Sequence, residues 1–479
     1  MSNLLTALVS SSNALEVLQR ALIVSQNNVA NASTPGYAAQ RMLLQAMEFE
    51  PGEGLIGGVR AGQIQSARDL YAEQAVRRQM ESLGRFKQMA ESLASLEPVF
   101  NATGASGIPG ALNRLFSSFS AWSADPNSMT ARQAVLDSAG QLVQSFRQAD
   151  ASLEKAARDT DRQLHQTVER INQLGSELLA CNAARRRGAS GDAGLDARIQ
   201  NVLEELSELV DFTSLQQEDG TVTVLIGGQG PLVVGEHLYG LRLNFDMPAV
   251  PPPLYPGAPA PVRLEAFGGG EITGLVQQGR LGGLLEFRNT VLPSVAGDAY
   301  HTGELNVLAG SLAGRINQIL AAGRISDGPP PQPGVALFTY DVSNAATAAR
   351  TLDLNPAITA GTLAAISPGP PYVSNGTALR LAELSNPREG ADGIEGHSYV
   401  EYYGRLAGRV GRLLADAGES RNFGAEMVAQ ARFLREQLSG VSLDEEAIRI
   451  IEYQRAYQAN ARMVSVLSDM TEIAVNLLR

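Results

Sequence analysis

The chain of 479 residues contains a single cysteine, Cys181, and only four histidines. One cysteine excludes an intramolecular disulfide and any zinc site built on several thiolates. Because Cys181 follows the apolar run Leu178–Ala180, we expect a buried structural thiol rather than a reactive one. The histidines lie far apart in the sequence, so a metal site would need carboxylates from distant segments. We therefore predict neither a metal nor a cofactor.

Basic residues and long apolar runs are also scarce. Lysine and arginine total 38 against 50 acidic residues, which gives a net charge of −12. Such a balance argues against a nucleic-acid partner, because phosphate binding needs a basic surface. No apolar run approaches the ~18 residues of a membrane span. The N-terminus lacks the basic and apolar regions of a secretory signal peptide, so we expect any export to use another route.

Catalytic motifs are absent or out of context. Gly52–Gly57 matches G-x-G-x-x-G, but Pro51 precedes it and no strand–helix pattern flanks it, which favours a turn. Ser152–Lys155 matches S-x-x-K, but it lies inside a predicted helix and its companion motifs are missing. The sequence therefore predicts a protein that is not an enzyme.

Hydrophobic periodicity predicts a mainly α fold with β insertions. At the N-terminus, apolar side chains alternate at steps of four and three residues, which is typical of a coiled-coil seam. Its large apolar members are Leu4, Leu8, Leu15, Leu18, Leu22 and Val29. This helix is expected to stop at Asn31–Tyr37, because Pro35 disfavours helix at Thr34 and Gly36 permits a turn.

The last helix is predicted to begin at a capping box formed by Ser442 and Glu445. Two adjacent apolar rows follow it, which make a face wider than one partner helix needs. The first row is Ala459, Met463, Val466, Met470, Ile473 and Leu477. The second row is Ile450, Tyr453, Tyr457, Asn460, Val464, Leu467, Thr471, Ala474 and Leu478.

The pattern divides the chain into terminal coiled-coil helices, a long-helix bundle and a smaller β region. We expect a terminal axial core from 1–60 with 441–479, and a helical bundle from 61–210 with 277–322 and 377–440. Residues 211–276 read as β-hairpins, and 323–376 as a short Pro/Gly-rich insertion. Because two isolated terminal helices bury little surface, we also expect them to become ordered only when packed among other chains.

Two long motifs carry a family resemblance. Asn27–Tyr37 resembles the N-terminal signature of bacterial flagellar axial proteins, and Ile451–Met463 resembles their C-terminal helix. Within that group, Thr130–Val135, Gly282–Pro293 and Gly440–Glu446 are similar to the hook-associated FlgK family. The resemblance covers about 1–322 and 376–479 and is weak at 323–376, where family members carry a sizeable β domain that is here reduced or missing.

The resemblance implies a structural role at the junction between flagellar hook and filament, where the protein is needed for filament assembly. The implied partners are copies of the same chain in a helical ring, the hook protein below and the next hook-associated junction protein above. It also implies export through the flagellar type III system, a cytoplasmic chaperone on the C-terminal helix before export, and a final extracellular location.

The resemblance and the periodicity together predict an assembly interface on the terminal helices. We expect the N-terminal seam to pack against Met463, Val466, Met470, Ile473 and Leu477, while Asn and Gln side chains satisfy one another. The predicted interface residues are Leu4, Leu8, Leu15, Leu18, Leu22, Asn28, Val29, Asn31, Pro35, Gly36, Tyr37, Ile451, Tyr453, Gln454, Tyr457, Asn460, Met463, Val466, Met470, Ile473 and Leu477.

Three other interpretations remain open at this point. Another axial protein, of the hook or distal rod, would share the terminal signatures but not the long helices at 130–187 and 396–440. A secreted enzyme with axial termini would need a catalytic insertion, which 211–376 does not display. A free-standing coiled-coil scaffold would not need the Asn27–Tyr37 signature.

Overall fold

The computed structural model describes residues 2–48, 57–100, 107–188, 191–248, 250–268, 270–326, 328, 330–387 and 390–476. Its α-helices are α1 (Ser2–Ala30), α2 (Leu70–Ala94), α3 (Gly107–Ala124), α4 (Met129–Arg186), α5 (Ala193–Leu209), α6 (Gly279–Glu286), α7 (Leu292–Ala296), α8 (Glu304–Ala322), α9 (Ala348–Thr351), α10 (Gly376–Glu383), α11 (Tyr399–Ser439) and α12 (Leu443–Asn476). The predicted fold class, mainly α with β insertions, is confirmed.

The strands form five small antiparallel sheets in the described part of the chain. They are β1 (Gln40–Ala46), β2 (Val59–Ser66), β3 (Phe212–Gln216), β4 (Val222–Ile226), β5 (Gly230–Val234), β6 (His237–Leu238), β7 (Leu241–Asn244), β8 (Arg263–Ala266), β9 (Gly270–Glu271), β10 (Arg324–Ser326), β11 (Gln332–Pro333), β12 (Phe338–Thr339) and β13 (Asp353–Leu354). The sheet orders are β1-β2, β3-β4-β5-β6, β7-β8-β9, β10-β11 and β12-β13. The hairpin β1-β2 follows α1 directly.

Helix α4, with 58 residues, is the axis on which two hydrophobic cores are built. Ser128 caps its start, since the Ser128 hydroxyl accepts a hydrogen bond from the Ala131 amide at 3.3 Å. The first half of α4 packs with α3, α8, α10 and the start of α11 around Trp122 and Phe146. The second half packs with α5, α6 and β3–β9, and there Cys181 is buried, as predicted.

The segment that the sequence marks as a Pro/Gly-rich insertion packs on the first core. Leu337, Phe338 and Leu363 are buried within it. The side chain of Asn317 fixes this segment to α8, because its Oδ1 accepts from the amides of Leu337 and Phe338, both at 2.9 Å. The segment therefore lies against the bundle, while the predicted division into domains stays a prediction.

Helices α2 and α11 pack along each other, and one part of each also contributes to the first core. A small apolar cluster of Val76, Met80, Val428 and Ala431 joins them. Glu204 of α5 accepts hydrogen bonds from Arg435 at 2.5 Å and Arg432 at 2.7 Å. Burial alone would raise the pKa of Glu204, but these two guanidiniums outweigh it and lower the pKa. The charge cluster fixes the end of α11, from which α12 continues.

Candidate assembly surface

Helices α1 and α12, from opposite ends of the chain, pack along each other, and the β1-β2 hairpin lies against α1. On α1 the buried residues are Val17, Leu18, Ala21, Ser25 and Asn28. On α12, Glu446 alone is buried among the described side chains. The pair is therefore held by a narrow, half-buried seam.

The seam on α12 differs from the one predicted. Met463, Val466 and Met470 are 55%, 53% and 50% exposed, so they do not pack on α1. Most of the half-buried residues belong to the neighbouring row, and Arg449, Ala456 and Ala461 lie beside it. Those on the row are Ile450, Tyr453, Asn460, Val464, Leu467, Thr471 and Ala474. The expected packing of the N-terminal seam against Met463, Val466, Met470 and Ile473 is therefore wrong within one chain. Both rows are apolar, so hydrophobic periodicity alone does not decide which of them faces α1.

On α1 the seam largely follows the prediction. Leu18 is buried, and Leu4, Leu8, Leu15 and Leu22 are half-buried. Val29 is 38% exposed and lies outside the seam. Its neighbour Asn28 is instead the last buried residue of α1. Leu477 lies outside the described residues, and so does the turn predicted at Gly52–Gly57, apart from Gly57.

Both helices leave large apolar side chains exposed on their outer sides. On α1 these are Leu5, Val9 and Ile23. On α12 they are Ile448, Ile451, Tyr457, Met463, Val466, Met470, Ile473 and Val475. Apolar surface of this extent on elongated helices is typical of surfaces that other protein covers.

A polar joint connects the bases of these two helices; it consists of Asn28, Tyr37, Gln40, Glu446 and Arg449. The Asn28 Oδ1 accepts from the Tyr37 hydroxyl and from the Gln40 amide, both at 2.9 Å. The Asn28 Nδ2 donates to the Gln40 carbonyl at 2.8 Å and to Glu446 Oε1 at 3.1 Å. Asn28 thus makes all four hydrogen bonds that an amide side chain offers.

Glu446 introduces a buried negative charge into the joint. Its Oε1 also accepts from Arg449 at 2.6 Å, whereas its Oε2 has no hydrogen-bond partner in the described part of the chain. Burial, followed by the charge of Glu446, raises the pKa of Tyr37. Tyr37 therefore remains a neutral donor to Asn28, and the joint depends on a charge that is only partly compensated.

The turn after α1 connects the joint to the rest of the molecule. The Pro35 carbonyl accepts from Asn201 of α5 at 2.9 Å, and the Gly36 carbonyl accepts from Arg68 at 2.6 Å. Gly36 has φ +70°, and a Cβ there would lie 2.7 Å from the Ala197 carbonyl oxygen. Only glycine fits this turn without displacing α5.

The end of α11 contributes to the same region. The Ser439 carbonyl accepts from the Ala39 amide at 3.0 Å, and the Ser439 hydroxyl accepts from the Asp69 amide at 2.9 Å. The strand after the turn, the start of α2 and the end of α11 are therefore fastened together at one residue.

The structure brings Asn28, Pro35, Gly36 and Tyr37 together, as their place in one motif implied. Asn31 instead bonds within its own helix end, to Asn27 at 2.6 Å. Asn460 donates to the Ala456 carbonyl of its own helix at 2.9 Å, and Gln454 is exposed. The predicted mutual satisfaction of Asn and Gln side chains is therefore limited, within one chain, to the Asn27–Asn31 pair.

Sequence reasoning did not single out Gln40, Glu446 or Arg449 as interface residues. A signal for Glu446 exists, because it lies four residues before Ile450 on the second apolar row of α12. An acidic residue on an apolar row indicates that the residue is buried and has a polar partner there.

Within the described ranges, no three His, Cys, Asp or Glu side chains cluster as a metal site would require. Among those same residues, no helix is both long and apolar enough to span a membrane.

Residues 93–338, just over half of the chain, match the family model described as the flagellar hook-associated protein FlgK helical domain. The chain belongs to the FlgK family. This family consists of structural flagellar proteins, so the chain is a component of the bacterial flagellum. Residues 436–477 also match the model described as flagellar basal body rod FlgEFG protein C-terminal, and this range includes all of α12.

Individual FlgK relatives agree with this assignment. The chain is 26% identical over 513 residues to flagellar hook-associated protein 1 of Bacillus subtilis, with 99% of each chain covered. It is 29% identical over 303 residues to the protein of that name from Salmonella typhimurium, an alignment that covers 60% of this chain and 52% of that one. The solved flagellar hook junction protein FlgK of Burkholderia pseudomallei has the same fold, with a TM-score of 0.62, 16% identity, and 77% of this chain covered against 100% of that one.

Proposed function

We propose that this protein forms the junction between the flagellar hook and the filament, and that filament growth requires it. Copies of the chain assemble in a helical ring through α1 and α12. The hook protein lies below the ring, and the next hook-associated protein lies above it. The finished ring is extracellular.

The observation that carries this proposal is the uncovered outer row of α12. Ile473 is 60% exposed and Met463 is 55% exposed, on a helix whose inner side already contacts α1. A helix that contacts one partner and presents a second apolar row has room for further helices. In a ring of copies, the outer rows of neighbouring pairs would cover one another.

The assembly interface in this proposal has two parts with different roles. The seam residues of α1, together with Tyr453 and Asn460, form each helix pair. The outer residues Ile451, Met463, Val466, Met470 and Ile473 join neighbouring pairs, and Leu477 continues this row. The direction of the helix pair relative to the rest of the molecule is set by Asn28, Pro35, Gly36 and Tyr37. The exposed Val29, Gln454 and Tyr457, and the half-buried Asn31, would contact neighbouring copies.

The same surface supports the proposed route to the flagellum. An exposed apolar row of this length in a free monomer invites premature association. A cytoplasmic chaperone bound along α12 would cover it until export through the flagellar type III system. The chain is then transiently cytoplasmic and takes its final place only outside the cell.

Electron microscopy of flagella after deletion of the gene tests the proposal, with the intact gene restored as the control. The expected result is complete hooks without filaments, with filament subunits shed into the medium. Absent or truncated hooks would instead assign the protein to the rod or hook, the alternative that the match of α12 to rod proteins favours. Normal filaments would contradict both assignments.

A further inference from the structure

A groove lies between the first turns of α11 and the loop that leads into α8, remote from the terminal helices. Its volume is about 610 Å³. Tyr300, His301 and Glu304 line one side, and Tyr402, Arg405 and Arg409 line the other. Arg412 extends the second side by one further turn. Nothing in the proposed junction role uses this groove.

Three arginines on the groove share one carboxylate within the described residues. Arg405, Arg409 and Arg412 occur at steps of four and three along α11, so their side chains share one helix face. Arg409 forms an ion pair with Glu304. The partner of Arg405 is the ring nitrogen Nε2 of His397, not a carboxylate. Arg412 has no ion pair in the described part of the chain, so two guanidiniums lack an acidic partner.

One further donor in the groove is left unused. The Nη2 atom of Arg409 is buried, and no described residue accepts from it. A buried donor of this kind is costly unless a ligand satisfies it. Tyr402 lines the same groove and is 8% exposed. Burial, and then the charges of Glu304 and Glu395, raise the pKa of Tyr402 to about 12, so it keeps its proton and can donate to a ligand.

We propose that this groove binds a carboxylate-bearing peptide segment of a neighbouring protein subunit. Guanidinium groups pair with carboxylates in bidentate fashion, and arginine and tyrosine are the residues enriched where proteins meet. A peptide can place carboxylates beside Arg405 and Arg412 and apolar side chains beside Leu406 and Val307, which line the same groove. That the neighbour is a flagellar subunit rests on the proposed function.

Fluorescence anisotropy of dye-labelled hexaglutamate with the full-length protein tests this inference. We expect saturable binding despite the net charge of −12, and about tenfold weaker binding for Arg412→Gln, because each charge-assisted hydrogen bond contributes about 1.5–3 kcal/mol. Tyr402→Phe, which removes one hydroxyl, should weaken binding severalfold. The matched control is Arg421→Gln, which removes an exposed arginine of the same helix that bonds, among the described residues, to Asn422 alone.

Each other outcome overturns the inference. Absence of saturable binding, or an equal loss in Arg421→Gln, would leave no specific groove site. Competition by inorganic phosphate as effective as that of unlabelled hexaglutamate would reduce the groove to a general anion site. Circular dichroism of each variant confirms that the chain is folded. The gene-deletion phenotype is independent of this binding, so failure here leaves the junction proposal intact.

Discussion

The buried side-chain amide of Asn28 takes part in four hydrogen bonds. Three of them join it to Tyr37, in the turn after α1, and to the backbone of Gln40 in β1. The fourth crosses to α12 through Glu446. Removing the amide would leave the Tyr37 hydroxyl, the Gln40 backbone and the buried Glu446 with fewer partners in a site that is largely buried. The free-energy cost of an unsatisfied buried group is about 1–3 kcal/mol.

Asn28→Ala should therefore loosen the joint while leaving both main cores intact. We expect the Gln40 amide to exchange with solvent about ten- to a hundredfold faster, because about 1.4 kcal/mol corresponds to a factor of ten. Hydrogen exchange read by mass spectrometry measures this. Asn27→Ala, which removes an exposed neighbour, is the control, and equal acceleration in both variants would contradict the assigned role.

The pKa of Glu81 predicts how the stability of the protein depends on pH. It lines a cavity of about 320 Å³ near Asp211. Burial, and then the charge of Asp211, raise the pKa of Glu81 from 4.5 to about 7. Between these values the folded protein holds a proton that the unfolded chain releases, so stability contributed by Glu81 falls as pH rises through this window.

Glu81→Gln should remove that pH dependence. Relative to the unaltered protein, the free energy of unfolding of the variant should rise by about 2 kcal/mol between pH 5 and pH 7.5. Urea unfolding at both pH values measures it. Glu91→Gln removes an exposed carboxyl from the same helix, and a similar gain there would contradict the explanation.

Sequence periodicity predicted where the helices lie, but it did not predict which of their faces contact each other. The spacing of Leu4 to Leu22 predicted α1, and Pro35 with Gly36 predicted its end. The two apolar rows of α12 were also visible, but periodicity cannot say which row contacts α1. That choice depends on how the two helices are rotated about their axes, which tertiary contacts far apart in the sequence determine. The joint could not be predicted either, since Asn28 and Glu446 are 418 residues apart.

Leu18→Asp tests the seam of α1. Leu18 is 9% exposed, so a carboxylate there would be buried without a partner and should separate α1 from α12. None of the three apolar clusters contains a residue of α1 or α12, so residues 62–440 should stay folded.

The measurement for Leu18→Asp combines thermal unfolding of the purified variant with its ability to restore flagella in the deletion strain. We expect a main unfolding transition close to that of the unaltered protein, and loss of assembly. Gln19→Asp places the same charge on an exposed neighbouring position and should restore flagella. A Leu18→Asp protein that still assembles would remove the role given to this seam.

For the whole molecule, the contrast between the cores and the terminal pair predicts two levels of stability. Many side chains along α4 are completely buried, whereas on α12 only Glu446 is buried among those described. In the free monomer we expect amides of 4–30 and 450–476 to exchange at least about a hundredfold faster than those along the middle of α4. Strong protection of both terminal ranges would contradict this expectation.

The joint also has a consequence for the order of folding. The joint closes a loop that spans nearly the entire chain, and the pairing of α2 with α11 brings the two sides of that loop close to each other. Loop-closure entropy disfavours such a contact until most other structure has formed. The terminal pair therefore forms last, from whichever end the chain emerges. A chain delivered only in part has no completed pair to offer its neighbours, and the geometry of the joint excludes unfinished subunits from the assembly.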